Sequence, residues 1–267
     1  MAKKYSDFHE FLYRVKMCFI TKIHIAKYGQ VLNRLEQYRN KYKGERCFII
    51  GTGPSLTIED LNRLKGEYTF ASNSIFRYLD KTDWRPGFYT VTDHTWYDIN
   101  RNDSDAIPVT ILKMFPLDFG LKYGFNDNYC YYPRFLPIFS RCRRFMTNSP
   151  LGVQEGNTVT YFLMQLAAFM GFSEIYLLGI DFSYAFSLDK HGNVVRNKDV
   201  KQSYSFNDSN INKYPVADLN SQLISYKTAR KYADSHSDFK IYNATRGGKL
   251  EVFQRVNIDE VLLERKK

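Results

Sequence analysis

The chain has 267 residues, 44% of them hydrophobic, enough for one large α/β domain with an appendage or at most two small domains. No apolar run reaches the roughly 18–20 residues of a membrane span, and residues 1–7 do not open a secretory signal. Cys18, Cys47, Cys130 and Cys142 show no CxxC spacing, so they are expected as reduced thiols of a cytoplasmic protein without a metal site.

The charge of +10 is concentrated: residues 1–46 carry eleven Lys or Arg against four Asp or Glu, a net +7. An arm over residues 1–45 is therefore expected ahead of a domain over 46–267. Phe8, Phe11, Leu12, Val15, Phe19 and Ile23 recur at three- and four-residue spacing, so a helix would gather them on one side, with Arg14, Lys16 and Lys22 elsewhere. Through residues 8–43 such a basic amphipathic arm could lie on an anionic membrane surface, making the protein peripheral to the inner face of the cell membrane; packing on the domain or on a second copy in a homo-oligomer is the alternative. No recognised nucleic-acid motif accompanies the charge, and no nucleic-acid partner is expected.

At residues 46–55 the run RCFIIGTGPS reads as a buried strand breaking into a turn before a helix. Gly51 and Gly53 allow a tight turn and close approach of a ligand; free N–H groups at the next helix start would attract an anion, with Thr52, Pro54 and Ser55 completing the loop. Ser55 or Thr57 would cap that helix, over 58–64. The loop matches neither GxxxxGK[ST] nor GxGxxG. Strands are predicted over 68–72, 87–92 and 109–114, the first two ending at Asn73 and at Asp93 with His94. Short strand–loop–helix–strand intervals predict a parallel sheet whose carboxyl edge gathers Thr52, Asn73 and Asp93.

Residues 119–150 are irregular and aromatic, suiting a flap or subunit contact, with Arg141, Arg143 and Arg144 read mainly as a solvated basic face. A buried helix follows over 158–170, with Asn157 or Thr158 as its cap, then a strand over 175–178 that runs into Asp181. The polar stretch 187–215 suggests a mobile lid, taken over about 183–216. A helix over 217–233, a strand over 240–243 and a turn over 244–248 lead to the end of the chain.

Three separated blocks, RCFIIGTGPSL to LKGEYTFASN, NTVTYFLMQLAAFMGFSEIYLLGIDFSY and IYNATRGGKLEVFQRV, together resemble the MptE-like bacterial glycosyltransferase family. That group includes Maf proteins and is similar to the Campylobacter-type sialyltransferases of glycosyltransferase family 42. The resemblance covers roughly residues 46–258 and leaves the arm outside. It implies a Rossmann-like, mostly parallel sheet flanked by helices, a glycosyltransferase-A variant, binding a nucleotide-activated donor such as CMP-sialic acid without a metal. By position, Thr52 to Ser55 would hold the donor phosphate and ribose, Asn73 and Asp93 would meet nucleotide or sugar, and Asn157 and Thr158 would line the donor. Asp181 and Tyr184 fall where GIDF and SYAF occur, and the tyrosine hydroxyl would assist the departing phosphate. Thr52 stands where GNGPS has asparagine, Gly156 where an arginine precedes the Thr-Ser-Gly turn, and only His191 lies in the interval of the sialyltransferase base.

Sugar transfer needs an acceptor proton removed and the leaving phosphate neutralised. Asp181, His94 and His191 are candidates for the first task; Tyr184, Lys190 and the arginine cluster for the second. Asp103, Ser104 and Asp105 spell DxD, but in a polar loop with no strand before it. The expected activity is a glycosyltransferase building a bacterial surface glycan from a CMP-nonulosonate, with a glycan or glycolipid acceptor. The alternatives are an MptE-like diphosphokinase using ATP and Mg²⁺ on Asp93 and Asp181, or a nucleotide-binding component of a glycan assembly complex without catalysis.

Overall fold

A strand buried on both faces must feed two cores, and RCFII does so by alternation: Cys47 and Ile49 join one apolar layer, Phe48 and Ile50 the other. A computed structural model of the protein describes residues 7–108, 110–136, 143–147, 152–206 and 208–263. Arg141, Cys142 and Val109 lie outside the described residues. Strand β1 (Arg46–Ile50) pairs in parallel with β2 (Thr69–Ser72) on one side and β8 (Glu174–Leu178) on the other, with Ile50 opposite Ala71 and Leu178.

Outward from β2 lie β3 (Phe88–Thr90), β4 (Leu112–Pro116) and β5 (Tyr129–Tyr132); outward from β8 lie β11 (Lys240–Asn243) and β12 (Gln254–Arg255). All eight strands are parallel, in the order β12-β11-β8-β1-β2-β3-β4-β5. The order reverses beside β1, which opens a crevice at the carboxyl ends of β1 and β8. Helices α6 (Val159–Phe169) and α7 (Leu219–Asp234) cover one face; α3 (Ile58–Arg63), α4 (His94–Asp105), α5 (Leu117–Tyr123) and α8 (Ile258–Leu263) cover the other. Short strand pairs, β6 (Arg134–Phe135) with β7 (Val153–Gln154) and β9 (Phe186–Leu188) with β10 (Val194–Arg196), stand outside the main sheet. This is the Rossmann-like α/β fold expected from the sequence.

Two sequence expectations change. Residues 119–135 are not an irregular flap: they supply the end of α5, β6 and edge strand β5, where Tyr131 faces one core and Cys130 and Tyr132 the other. The period of two was hidden because every residue of YCYY is apolar enough for either face. The DxD stretch is the last turn of α4, not a polar loop; Ser104 is buried against the Tyr89 hydroxyl at 3.2 Å, and the Asp105 carboxylate takes the Tyr97 hydroxyl at 2.7 Å.

The arm is α1 (Asp7–Lys27) and α2 (Gly29–Glu36). Leu32 joins one core layer and Leu35 the other, as they must if α2 runs along the edge of the sheet; its neighbour there is β5, whose Tyr129 carbonyl accepts from Arg34 at 3.4 Å. The next turn is sewn to the end of α6 by Asn40 N–H to Phe169 O (3.1 Å) and Tyr42 N–H to Met170 O (2.9 Å).

Candidate functional site

The crevice holds a cavity of about 480 Å³, within the range of small-molecule sites. Its floor is built from strand ends: Gly51 to Gly53 after β1, Ser72 and Asn73 after β2, Thr92 and Asp93 after β3, and Gly179 to Tyr184 after β8. Gly51 and Gly179 let the first and last of these touch backbone to backbone, for a β-carbon on either would strike the other's carbonyl. Three of the four described non-glycine residues with positive φ, Asn73 (47°), Asn157 (58°) and Phe182 (52°), line this one cavity. Strained backbone of this kind gathers at working sites.

Asp181 is the central group. Its carboxylate accepts from the Ser55 hydroxyl at 2.7 Å and from the Ser55 N–H at 3.3 Å. Burial pushes its pKa up, and the Ser55 hydrogen bonds only partly offset that rise. Gly53 is required by this contact, because a side chain there would occupy the space of the carboxylate. Gly53 N–H is also spent, on Gly179 O at 3.0 Å. The turn thus differs from the anion cradle expected from the sequence: the N–H groups of Gly53 and Ser55 are satisfied from within the protein, and Asp181 supplies the anion. Thr57, not Ser55, caps α3, in a reciprocal pair with Asp60.

Tyr184 is half-buried in the cavity wall, its hydroxyl 3.4 Å from Gln222 Oε1, and desolvation there raises its pKa. Asn73 turns its backbone carbonyl to the Tyr89 hydroxyl (2.9 Å), while its buried Oδ1 has no partner among the described residues. Asp93 caps α4 through Trp96 N–H at 2.6 Å, and Thr158 caps α6 through Thr160 N–H at 3.3 Å. Arg143 is no solvated face: it reaches the carbonyls of Gly156 and Ser221, and donates to Asn157 Oδ1 at 2.8 Å, holding that residue at the rim.

The structure therefore brings Gly51, Thr52, Gly53, Asn73 and Asp93 together with Asn157, Thr158, Asp181 and Tyr184. Pro54 and Ser55 do not line the cavity. Nor do the two histidines. His94 stacks on Phe119 and bonds Asp118 Oδ2 at 2.6 Å, and His191 is exposed in the β9–β10 turn, its N–H on Asp189. The stretch after Asp181 also contributes Ser203, Tyr204 and residues 214–217 to the wall, tied down by Ser205 N–H to Thr52 O at 3.0 Å.

Sequence reasoning missed Glu155, Asp218 and Gln222, which complete the polar wall, and Trp96, Tyr204 and Tyr226, which give it aromatic faces. No lysine, arginine or histidine lines the cavity among the described residues, whereas Asp93, Glu155, Asp181 and Asp218 do. No three metal-ligating side chains converge among the described residues, and Asp93 and Asp181 each accept a hydrogen bond from a backbone N–H.

An eight-stranded parallel sheet with a polar cavity at its switch point defines a Rossmann-like α/β fold with a candidate ligand site. More narrowly, the chain belongs to the MptE-like family, matching "6-hydroxymethylpterin diphosphokinase MptE-like" over residues 22–187. Its fold is similar to that of the Maf glycosyltransferase from Magnetospirillum magneticum AMB-1, at 16% sequence identity and a TM-score of 0.50, over 85% of this chain and 38% of that one. The chain thus spans well under half the length of that structure. No curated protein matches the sequence.

Proposed function

We propose that the protein is a glycosyltransferase that moves a sugar from a nucleotide-activated donor to a hydroxyl of a glycan or glycolipid acceptor. The observation that carries this reading is the cavity wall: carboxylates, amides, hydroxyls and aromatic faces, with no cationic side chain among the described residues. Such a wall suits a neutral polyhydroxyl ligand, whose hydroxyls donate to carboxylates and whose apolar faces lie on aromatic rings. It suits ATP poorly, because several phosphate charges would face four carboxylates.

Within donors, we take a CMP-nonulosonate, the donor that the sequence resemblance implies; its phosphate carries one negative charge and its sugar carboxylate a second. Asn157, Thr158 and Thr52 are the groups we assign to its phosphate and carboxylate oxygens. In the transfer, the acceptor oxygen forms a bond to the anomeric carbon as the bond from that carbon to the phosphate oxygen breaks. Asp181, its pKa raised by burial, takes the acceptor proton; the Tyr184 hydroxyl hydrogen-bonds the leaving phosphate.

The family's description favours a second reading, an ATP-dependent diphosphokinase in which Mg²⁺ arrives with the nucleotide. Melting the protein with CMP, CDP, UDP, GDP and ATP, each with and without Mg²⁺, separates the two, because a ligand bound only by the folded state raises Tm. Stabilisation by CMP or CDP without Mg²⁺ supports the glycosyltransferase. A shift seen only with ATP and Mg²⁺ replaces it with the diphosphokinase.

A further inference from the structure

Helix α1 has two apolar faces, and the body uses one. On the inner face Thr21 is buried, its hydroxyl reaching Met17 O at 2.9 Å and Arg134 O at 3.4 Å; Ile25 and Tyr28 pack on the core, with the Tyr28 ring 5.4 Å from that of Phe125. Four residues of the stripe read from the sequence therefore do not seat the helix on the body. Leu12, Val15, Phe19 and Ile23 point outward, 47%, 40%, 66% and 50% exposed.

At 100° per residue, Leu12, Phe19 and Ile23 fall within about 40° of one another and form a ridge along the helix. Exposed Lys16 and Lys27 lie on one flank, and Val15 with exposed Lys22 on the other. Residues 11–27 contain no Asp or Glu. No described helix is long and apolar enough to cross a membrane.

We propose that this ridge docks the protein on an anionic lipid surface, with α1 lying in the interface. The apolar side chains would enter the acyl boundary while lysine stems run beside them and place their ammonium groups among lipid phosphates. A second copy is the poorer occupant: its lysines would meet these at like sign, and a ridge one side chain wide falls short of the roughly 800 Å² per partner of a stable interface. Docking would also set the cavity close to the lipid, since α1 rests on Arg134, whose guanidinium donates to the carbonyl of cavity residue Thr92 at 2.6 Å.

The test uses the full chain with vesicles of phosphatidylcholine alone, or with phosphatidylglycerol at roughly one third of the lipid. Cosedimentation with the anionic vesicles only, weakened by salt, is expected. Phe19→Ser with Ile23→Ser, and separately Lys16→Glu with Lys22→Glu and Lys27→Glu, should each lower binding at least roughly tenfold with Tm unchanged, since all five side chains are exposed. Failure of the natural protein to bind anionic vesicles overturns the proposal, as does undiminished binding by either variant. A dimer abolished by the Phe19 and Ile23 changes, with no vesicle binding, would give the ridge to a second copy.

Discussion

Asp181 is held in a state that costs stability. Because burial raises its pKa in the fold, the ionised form is disfavoured there, and its stabilising contribution is present only at low pH and fades as pH rises through the raised value. Asp181→Asn should therefore melt no lower than the natural protein at pH 7, and lower kcat by roughly 10²–10⁴ if Asp181 removes the acceptor proton. Rate against pH checks the same point: activity should climb through a pKa above the ordinary aspartate value. Gly53→Ala should lower both activity and Tm, because its β-carbon displaces the carboxylate from Ser55. Asp181 was legible in the sequence because it follows a strand, where polar groups gather at the carboxyl edge, whereas Tyr184 came only from the family resemblance. Glu155 and Gln222 were not, since nothing local marks a residue that reaches the site through the packing of α7 and β7.

The elements around the cavity are locked by a cluster of which one member, His94, was read from the sequence as catalytic. His94 at the start of α4, Asp118 in α5 and Arg134 in β6 meet through the Asp118 carboxylate, and Arg134 continues to Thr92 O. Burial alone would raise the Asp118 pKa, but the hydrogen bond from His94 and the charge of Arg134 outweigh it and hold the carboxyl below its ordinary range. A lowered pKa means the contribution is present at neutral pH and lost as pH falls through the folded value. Asp118→Asn should thus cost about 1 kcal/mol near pH 7, given the partial exposure of the group, with the difference shrinking in melts as pH falls through the lowered folded value. His94 looked catalytic because a lone histidine after a strand end is indistinguishable, in sequence, from one stacked on Phe119. By contrast β1, β8 and α6 were legible because their apolar runs are long, bounded by Gly or a capping residue, and need no distant partner to define them.

For the molecule as a whole, the arm and the body share one core, which composition alone did not reveal because the charge asymmetry separates them. Leu35 is fully buried and meets the same layer as Ile49 and Phe70. Leu35→Ala should cost about 2–5 kcal/mol in denaturant unfolding, while Phe19→Ser costs almost nothing, although both lie in the basic arm. The seat of α2 has a further result. The last strand of the sheet, β5, has no strand beyond it on its outer side, and such a border is a template for pairing with another chain. With Leu32 in one layer and Leu35 in the other, α2 closes that border as a gasket would. A chain lacking residues 1–45 should bind itself through β5 and scatter light on refolding, whereas one lacking only residues 1–27 should remain clear.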